Sequence, residues 1–117
     1  MAAYAAGQIV LVDWRDALPK EPNKRRPAIV IEDSALFDAD YPNVILVPLT
    51  EDGGLVIADL SVRIEPSPEN GCSKPCYAVS PLVTATSCHR VQPTPCHITQ
   101  AELARIRRQV AEAIGLG

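Results

Sequence analysis

Four cations and one carboxylate lie within seven consecutive residues, 20–26 (KEPNKRR). Arg26 precedes Pro27 and a short apolar run, so the backbone of the following strand should hold its guanidinium in place. Glu21 lies among the positive charges, which favour its ionised form and let it accept a proton or orient an arginine. A guanidinium beside a carboxylate suits phosphate binding and phosphoryl transfer. A solvated loop is the alternative interpretation, because charge runs commonly have no further role.

Cysteine and histidine residues raise a second chemical possibility, a zinc site. The residues concerned are Cys72, Cys76, Cys88, Cys96, His89 and His97. Their spacing, C-x3-C followed by two separate C-H pairs, differs from the C-x2-C knuckles of structural zinc sites. Without a secretory signal, disulfide bonds have no evident role either. We therefore expect packing thiols and surface imidazoles, with no metal and no other cofactor.

Composition limits the class of protein. The chain has 117 residues, of which 47% are hydrophobic and 21% charged, as in ordinary globular proteins. The formal net charge of −3 argues against a protein that coats nucleic acid through its overall field, so a local patch must bind any anionic partner. No segment has the pattern of a signal peptide or a membrane span. We expect a single domain, residues 1–117, in the cytoplasm.

Short apolar segments separated by Pro- and Gly-rich turns predict the elements that must position these groups. Strands are expected at residues 8–14, 28–32, 43–49, 60–65, 76–80 and 82–86. A capping box at residues 99–102 should begin a helix that ends at Gly115. Its apolar stripe would consist of Leu103, Ile106, Val110 and Ile114. The predicted fold class is mainly β, a small twisted barrel of five to seven short strands with a C-terminal α-helix.

Five segments, spread over nearly the whole chain, form a recognisable series. They are GQIVLV at residues 7–12, Glu21 five residues before RPAIV at 26–30, PLT at 48–50, NGCSKPCY at 70–77, and ITQAEL at 98–103. In order and spacing this series resembles the MazF/PemK family of toxin–antitoxin ribonucleases. The resemblance implies an SH3-like barrel of the CcdB/MazF type. It also implies that Cys72 and Cys76 are packing residues, because relatives carry packing residues at these two positions.

The resemblance implies a type II toxin that acts as a sequence-specific, metal-independent endoribonuclease. It would cleave single-stranded RNA or mRNA by attack of the adjacent 2′-OH on phosphorus. Arg26 would stabilise the phosphoryl transition state, Thr50 would hydrogen-bond a phosphoryl oxygen, and Glu21 would act as base or orienting group. The implied RNA-binding residues are Lys20, Lys24, Arg25, Ser80 and Thr84. A cognate antitoxin and a second copy of the chain, forming a homodimer, are the implied protein partners, with no membrane involved.

One segment departs from the family pattern. Many relatives carry D-Q-[LIP]-R-T after the Tyr-containing strand, whereas this chain has SPLVT at residues 80–84. Ser80 therefore replaces the acid, Val83 replaces the arginine, and only Thr84 is retained. Two alternatives to a nuclease stay open: a catalytically degenerate member that acts by binding a protein such as a topoisomerase, as CcdB toxins do, and a plain interaction module. For Thr50, a hydrogen bond to the local backbone is the alternative role.

Overall fold

An antiparallel sheet and one C-terminal helix form the computed structural model, which describes residues 3–14 and 25–116. The elements within these ranges are β1 (Gln8–Val12), β2 (Arg26–Val30), β3 (Asn43–Thr50), β4 (Ser61–Ile64), β5 (Cys76–Val79), β6 (Thr84–Ser87), β7 (Val91–His97) and α1 (Gln100–Ala113). Short 3-10 turns occur at Ser34–Leu36, Gly53–Leu55, Ser80–Leu82 and Cys88–Arg90. The predicted mainly β fold with a C-terminal helix is confirmed.

Strand β3 is the central element of the sheet. The strand order is β4-β5-β3-β2-β1-β7, and β6 pairs with the first half of β3. Strands β5 and β6 therefore follow one another along the edge of β3 that faces away from β2. At the ends of this order, the His97 N–H in β7 donates to the Glu69 carbonyl in the segment after β4, at 3.0 Å. The sheet is thereby curled into a barrel.

Two apolar clusters explain why β1 and β2 are hydrophobic without alternation. Successive residues of β1 point to opposite faces, so Ile9 joins one cluster while Val10 and Val12 join the other. Helix α1 packs on the first cluster through Leu103 and Ile106. Tyr4, Trp14 and Cys88 pack against the second cluster. A sheet buried on both faces needs apolar residues at every position, which is the pattern seen in the sequence.

The helix begins and ends where its sequence signals predict. The Thr99 hydroxyl accepts from the Glu102 N–H at 3.1 Å, and the Glu102 carboxylate accepts from the Thr99 N–H at 2.9 Å. Gly115 adopts φ +90°, a left-handed conformation that stops a helix. The predicted apolar stripe is wrong at Ile114, which caps the helix and is 64% exposed. The chain leaves the helical path at that residue, so the helical spacing no longer directs its side chain inward.

Side-chain hydrogen bonds join the helix to the sheet. The Arg107 guanidinium donates to the carbonyls of Ile31 and Glu32, both at 2.9 Å. The Ser80 hydroxyl donates to Gln109 Oε1 at 2.8 Å, and Gln109 Nε2 donates to the Ser61 carbonyl at 3.2 Å. Ser80 is fully buried. Its expected contact with RNA is therefore corrected to a packing role, because the hydroxyl is enclosed between the end of β5 and the helix.

Strand β7 was not predicted from the sequence. Its sequence, VQPTPCH, contains two prolines, and a proline within an apolar run argues against a strand. The strand lies at the end of the sheet order and pairs only with β1 among the described strands, with a register irregularity between Gln8 and Val10. An edge strand tolerates missing N–H groups on its open side.

No helix in the described part of the chain combines the length and apolar character that a membrane span requires.

Replacing Ile106 by Ala should destabilise the protein strongly. Ile106 has no exposed surface, and its truncation leaves a cavity between helix and sheet. We expect the free energy of unfolding to fall by about 2–5 kcal/mol in urea titrations. Arg105→Ala, one residue earlier on the exposed face, is the matched control and should change stability by less than about 0.5 kcal/mol. Equal effects of the two substitutions would contradict the observed helix packing.

Ser80→Ala tests the corrected role of Ser80. The change leaves the Gln109 amide oxygen without its buried donor and should lower the free energy of unfolding by about 1–3 kcal/mol. In a double-mutant cycle with Gln109→Ala, the second substitution should cost less once the first is present, because the two groups share one hydrogen bond. Additive effects would show that the two side chains act independently.

Candidate functional site

Arg26 and Thr50 lie opposite each other at the ends of neighbouring strands. The β2–β3 register pairs Ala28 with Pro48, and its continuation by two residues brings Arg26 opposite Thr50. Both residues line an open cavity of about 350 Å³. The remaining lining residues are Pro27, Leu49, Glu51, Asp52 and Cys76. The structure thus brings together two of the three residues for which the sequence implied a catalytic role.

A local hydrogen-bond chain fixes the end of β3 at this cavity. The Thr50 hydroxyl oxygen accepts from the Asp52 N–H at 3.0 Å, and Asp52 Oδ1 accepts from the Gly54 N–H at 2.8 Å. The alternative role of Thr50 as a backbone-bonding, strand-terminal residue is therefore observed. It does not exclude ligand binding, because a hydroxyl that accepts one hydrogen bond still has a proton to donate.

Glu51 is a functional candidate that the sequence interpretation missed. It lines the cavity, and its Oε2 lies 3.2 Å from Lys74 Nζ, in the loop before β5. Both side chains are more than half exposed, so the ion pair adds little stability. The effect of the ion pair is local. The Lys74 ammonium offsets the charge of the Glu51 carboxylate, which would otherwise repel an anionic ligand. The sequence offered one signal for this role, namely that Glu51 directly follows the PLT segment at residues 48–50.

Cys76 forms a buried wall of the cavity. Burial, the largest cause, together with the hydrogen bond and charge of Cys72 and the charge of Glu51, raises the pKa of its thiol from 9.0 to about 12. The thiol is therefore uncharged at neutral pH. A second cavity, of about 270 Å³, shares Glu51 and Cys76 with the first and adds Cys72 and Cys96. Packing roles expected for Cys72 and Cys76 are confirmed, since both belong to or contact the first apolar cluster.

Arg25 and Thr84 are not among the residues that line this cavity. Lys20, Glu21 and Lys24 lie outside the described residues. Arg25 is exposed, and its Nη1 donates to the Gln92 side chain in β7, beyond β1. Thr84 is exposed at the start of β6.

Thr84 lines a separate cleft of about 460 Å³. Trp14, Thr86 and Arg90 contribute to the same cleft, and the Trp14 indole N–H donates to Thr86 Oγ1 at 3.4 Å. His89, which the sequence interpretation left out of the site, is exposed in the turn after β6. Within residues 3–14 and 25–116, no three His, Cys, Asp or Glu side chains are grouped so as to hold a metal ion.

The chemistry that this cavity supports is recognition of a tetrahedral oxyanion. A guanidinium presents several N–H donors in a planar fork that matches two oxygens of a phosphate. A hydroxyl proton on the neighbouring strand can bind a third oxygen. Because both groups arise from paired strands, their separation is set by the sheet and requires little ordering when a ligand binds.

Solved structures of toxins share this fold. An endoribonuclease from Mycobacterial species, determined in complex with its cognate antitoxin, superposes with a TM-score of 0.75 at 18% identity and covers 97% of each chain. MazF from Deinococcus radiodurans gives a TM-score of 0.73 at 18% identity, with 96% of each chain covered. The Mycobacterium tuberculosis toxin MazF-mt6 gives 0.68 at 13% identity, covering 94% of this chain and 98% of its own.

Sequence comparison identifies the family directly. No curated protein matches the sequence closely enough to count as a relative. The family model for the PemK-like, MazF-like toxins of type II toxin–antitoxin systems matches residues 5–114, which include every strand and the helix of the described ranges. The likeness to the solved structures, at 13–18% identity, supports the same fold. The chain therefore belongs to the PemK-like, MazF-like family of toxins of type II toxin–antitoxin systems.

Proposed function

We propose that this toxin is a metal-independent endoribonuclease that cleaves single-stranded RNA, including mRNA, at specific sequences. The observation that carries the proposal is the shared cavity of Arg26 and Thr50 in a chain of this family. The solved relatives include proteins described as endoribonucleases, which supports the same activity here.

In the proposed reaction, the 2′-OH next to the scissile phosphate attacks phosphorus. The 2′-oxygen forms a new P–O bond, the bond to the 5′-oxygen breaks, and the products are a 2′,3′-cyclic phosphate and a free 5′-hydroxyl. A base removes the 2′-OH proton, and the leaving 5′-oxygen gains a proton. The attacking group belongs to the RNA, so the reaction requires no metal-activated water.

Charge stabilisation is the role of Arg26 in this mechanism. Negative charge accumulates on the phosphoryl oxygens as the 2′-oxygen approaches, and a positioned guanidinium stabilises it. Arginine is a poor proton donor near neutral pH, so its contribution is electrostatic. The Thr50 hydroxyl would donate a hydrogen bond to a phosphoryl oxygen while its own oxygen continues to accept from the Asp52 N–H.

The proposed base or orienting group is Glu21, as the family resemblance implies. Glu51 is the carboxylate that lines the cavity and is therefore a second candidate for proton transfer. Lys20, Lys24 and Arg25 would attract the RNA strand, and Thr84 would contact it from the Trp14 cleft. These cations compensate for a chain whose net charge of −3 disfavours RNA binding.

The proposed partners are a cognate antitoxin and a second copy of the chain. A toxin of similar fold was solved with its cognate antitoxin, and further complexes of MazE with MazF are known from Deinococcus radiodurans. We propose that the antitoxin occupies the RNA groove and that the homodimer forms that groove. In this proposal the protein acts in the cytoplasm, where mRNA is available.

A second candidate function is protein binding without catalysis. The observation that favours it is the replacement of the family's acid and arginine by Ser80, which is buried, and Val83, which packs against the first cluster. Neither residue supplies charge to a ligand. Incubation of antitoxin-free protein with a long single-stranded RNA in the presence of a chelator separates the two functions. Discrete cuts with cyclic-phosphate ends support the nuclease, whereas intact RNA favours protein binding.

Arg26→Ala should lower the rate of RNA cleavage by about 10²–10³-fold, because one preorganised donor to the phosphoryl oxygens is lost. The measurement is single-turnover cleavage of a synthetic RNA containing a mapped site. Arg105→Ala removes a cation from the exposed helix face and is the matched control, with an expected rate equal to that of the wild type. Urea unfolding verifies that each variant is folded. Full cleavage by folded Arg26→Ala would contradict the assignment.

Thr50→Val should lower kcat by about ten- to hundredfold, since it preserves volume but removes the hydroxyl. Thr50→Ser retains the hydroxyl and should recover most of the rate. If the role of Thr50 is purely structural, the kcat values of the two variants should instead follow their free energies of unfolding. Thr50→Val would then show no additional loss in kcat. Comparison of kcat, KM and stability for both variants distinguishes these outcomes.

A further inference from the structure

Two cysteine sulfurs lie in contact beside the Arg26–Thr50 cavity. The Cys76 thiol donates to Cys72 Sγ across an S···S distance of 3.4 Å. Cys76 is the first residue of β5 and lines both adjoining cavities, while Cys72 lies in the preceding loop and lines the second one. The nuclease mechanism uses neither sulfur. A contact between two reduced thiols at this distance is the geometry from which a disulfide can form.

We propose that Cys72 and Cys76 form a reversible disulfide when the protein meets a peroxide or a low-molecular-weight disulfide, and that this bond weakens the Arg26–Thr50 site. The first part rests on the sulfur geometry alone. The second part, the effect on RNA cleavage, rests on the proposed function. In cells that keep thiols reduced, disulfides of this kind are typically transient and redox-sensing.

Closing the bond requires a small movement. A disulfide has an S–S length of about 2.05 Å, so the sulfurs must approach by about 1.4 Å from their present 3.4 Å. Cys76 is held by its pairing with Ile64 in β4. Cys72 follows Gly71, which has φ +67°, and its N–H donates to the Asn70 side chain at 2.9 Å. Because Cys76 is fixed within a strand and Cys72 lies in a loop, we expect Cys72 to be the residue that moves.

The third cysteine in the cleft is oriented differently. Cys96 Sγ lies against the Gly71 backbone, where a Cβ added to Gly71 would be only 2.8 Å from the sulfur. Cys88 is separate from this group and packs against the second apolar cluster. The structure thus selects the Cys72–Cys76 pair among the four free cysteines.

Oxidation by hydrogen peroxide balances in two steps. Cys72, the more exposed of the two residues, attacks one peroxide oxygen, breaks the O–O bond and becomes a sulfenic acid, with one water released. Cys76 then attacks the Cys72 sulfur, and its proton leaves with the sulfenic hydroxyl as a second water. Two thiols lose two electrons and two protons in total, and the peroxide is reduced to two waters. A dithiol reductant reverses the change by thiol–disulfide exchange.

The bond reaches the RNA site through the loop that contains both cysteines. Lys74 lies between them in sequence and pairs with Glu51 at 3.2 Å. Cys76 itself forms a wall of the cavity, and its neighbour Tyr77 pairs with Thr50. A shift of the loop by about 1 Å displaces Lys74, and with it the ion pair to Glu51, relative to Arg26. Misplacement on that scale can lower a reaction rate by up to about a hundredfold.

Peptide mapping tests the bond without reference to RNA. Reduced protein is treated with hydrogen peroxide, its remaining thiols are alkylated, and it is cut after Glu69 and Tyr77. The resulting peptide, residues 70–77, contains Cys72 and Cys76 and no other cysteine. We expect it to be lighter by two hydrogen atoms, to carry no alkyl group, and to regain both thiols after treatment with a dithiol. Two alkylated cysteines in this peptide, or a link to Cys96, would overturn the proposal.

The pH dependence of closure provides a second test. When glutathione disulfide is the oxidant, a mixed disulfide at Cys72 is resolved by the Cys76 thiolate, and burial, the largest cause, raises the pKa of the Cys76 thiol above 9.0. The thiolate fraction therefore grows about tenfold per pH unit below that value, and the rate of closure should grow with it. A closure rate that levels off near pH 8 would show that a different sulfur resolves the mixed disulfide.

Cleavage assays test the coupling to the site. Peroxide-treated wild-type protein should cleave RNA about ten- to hundredfold more slowly than reduced protein, and a dithiol should restore the rate. Cys72→Ala should keep its rate after peroxide, whereas Cys88→Ala, the matched control, should lose activity like the wild type. Equal rates for oxidised and reduced wild-type protein would overturn the coupling. If the disulfide forms but reduced protein does not cut RNA, the proposed function fails while the modification site stands.

Discussion

The pairing register between β2 and β3 is the constraint on which the site depends. Ala28 pairs with Pro48, and this register brings Arg26 opposite Thr50 at the end of the two strands. A slip of one residue would turn every side chain of β2 to the other face. Burial on both faces prevents such a slip, because Ile29 belongs to one apolar cluster and Ala28 and Val30 to the other. The hydrophobic core therefore determines the geometry of the polar site.

The central position of β3 extends this constraint to the rest of the molecule. The strand pairs with β2 on one edge and with β6 and then β5 on the other. The end that contains Thr50 thus lies between Arg26 on β2 and Tyr77 on β5. The loop before β5 supplies Lys74 and Cys72, and β5 itself begins with Cys76 in the cavity wall. The surroundings of the cavity consequently depend on the conformation of residues 65–75, although that loop is remote from residue 26 in sequence.

The departure from the family pattern at residues 80–84 has a structural explanation. Ser80 hydrogen-bonds Gln109 of the helix, and Val83 packs against the first cluster. Ser80 thus helps to attach the helix to the sheet, whereas Val83 adds to the apolar core. Among the residues that line the cavity, Arg26 contributes a positive charge, and Glu51 and Asp52 contribute carboxylates.

Local signals were sufficient for most of the architecture. Apolar runs identified six of the seven described strands, and the capping box at Thr99 and the glycine at 115 located the helix, because these features act through neighbouring residues. Strand β7 was missed because it contains two prolines. A strand tolerates prolines at the edge of a sheet, and the edge position is known only from the assembled sheet. The sequence also did not reveal which residues lie close together across the sheet. Burial of Ser80, the position of Glu51 beside Arg26, and the contact of Cys72 with Cys76 all follow from pairing between distant segments, and local periodicity contains no information about such pairing.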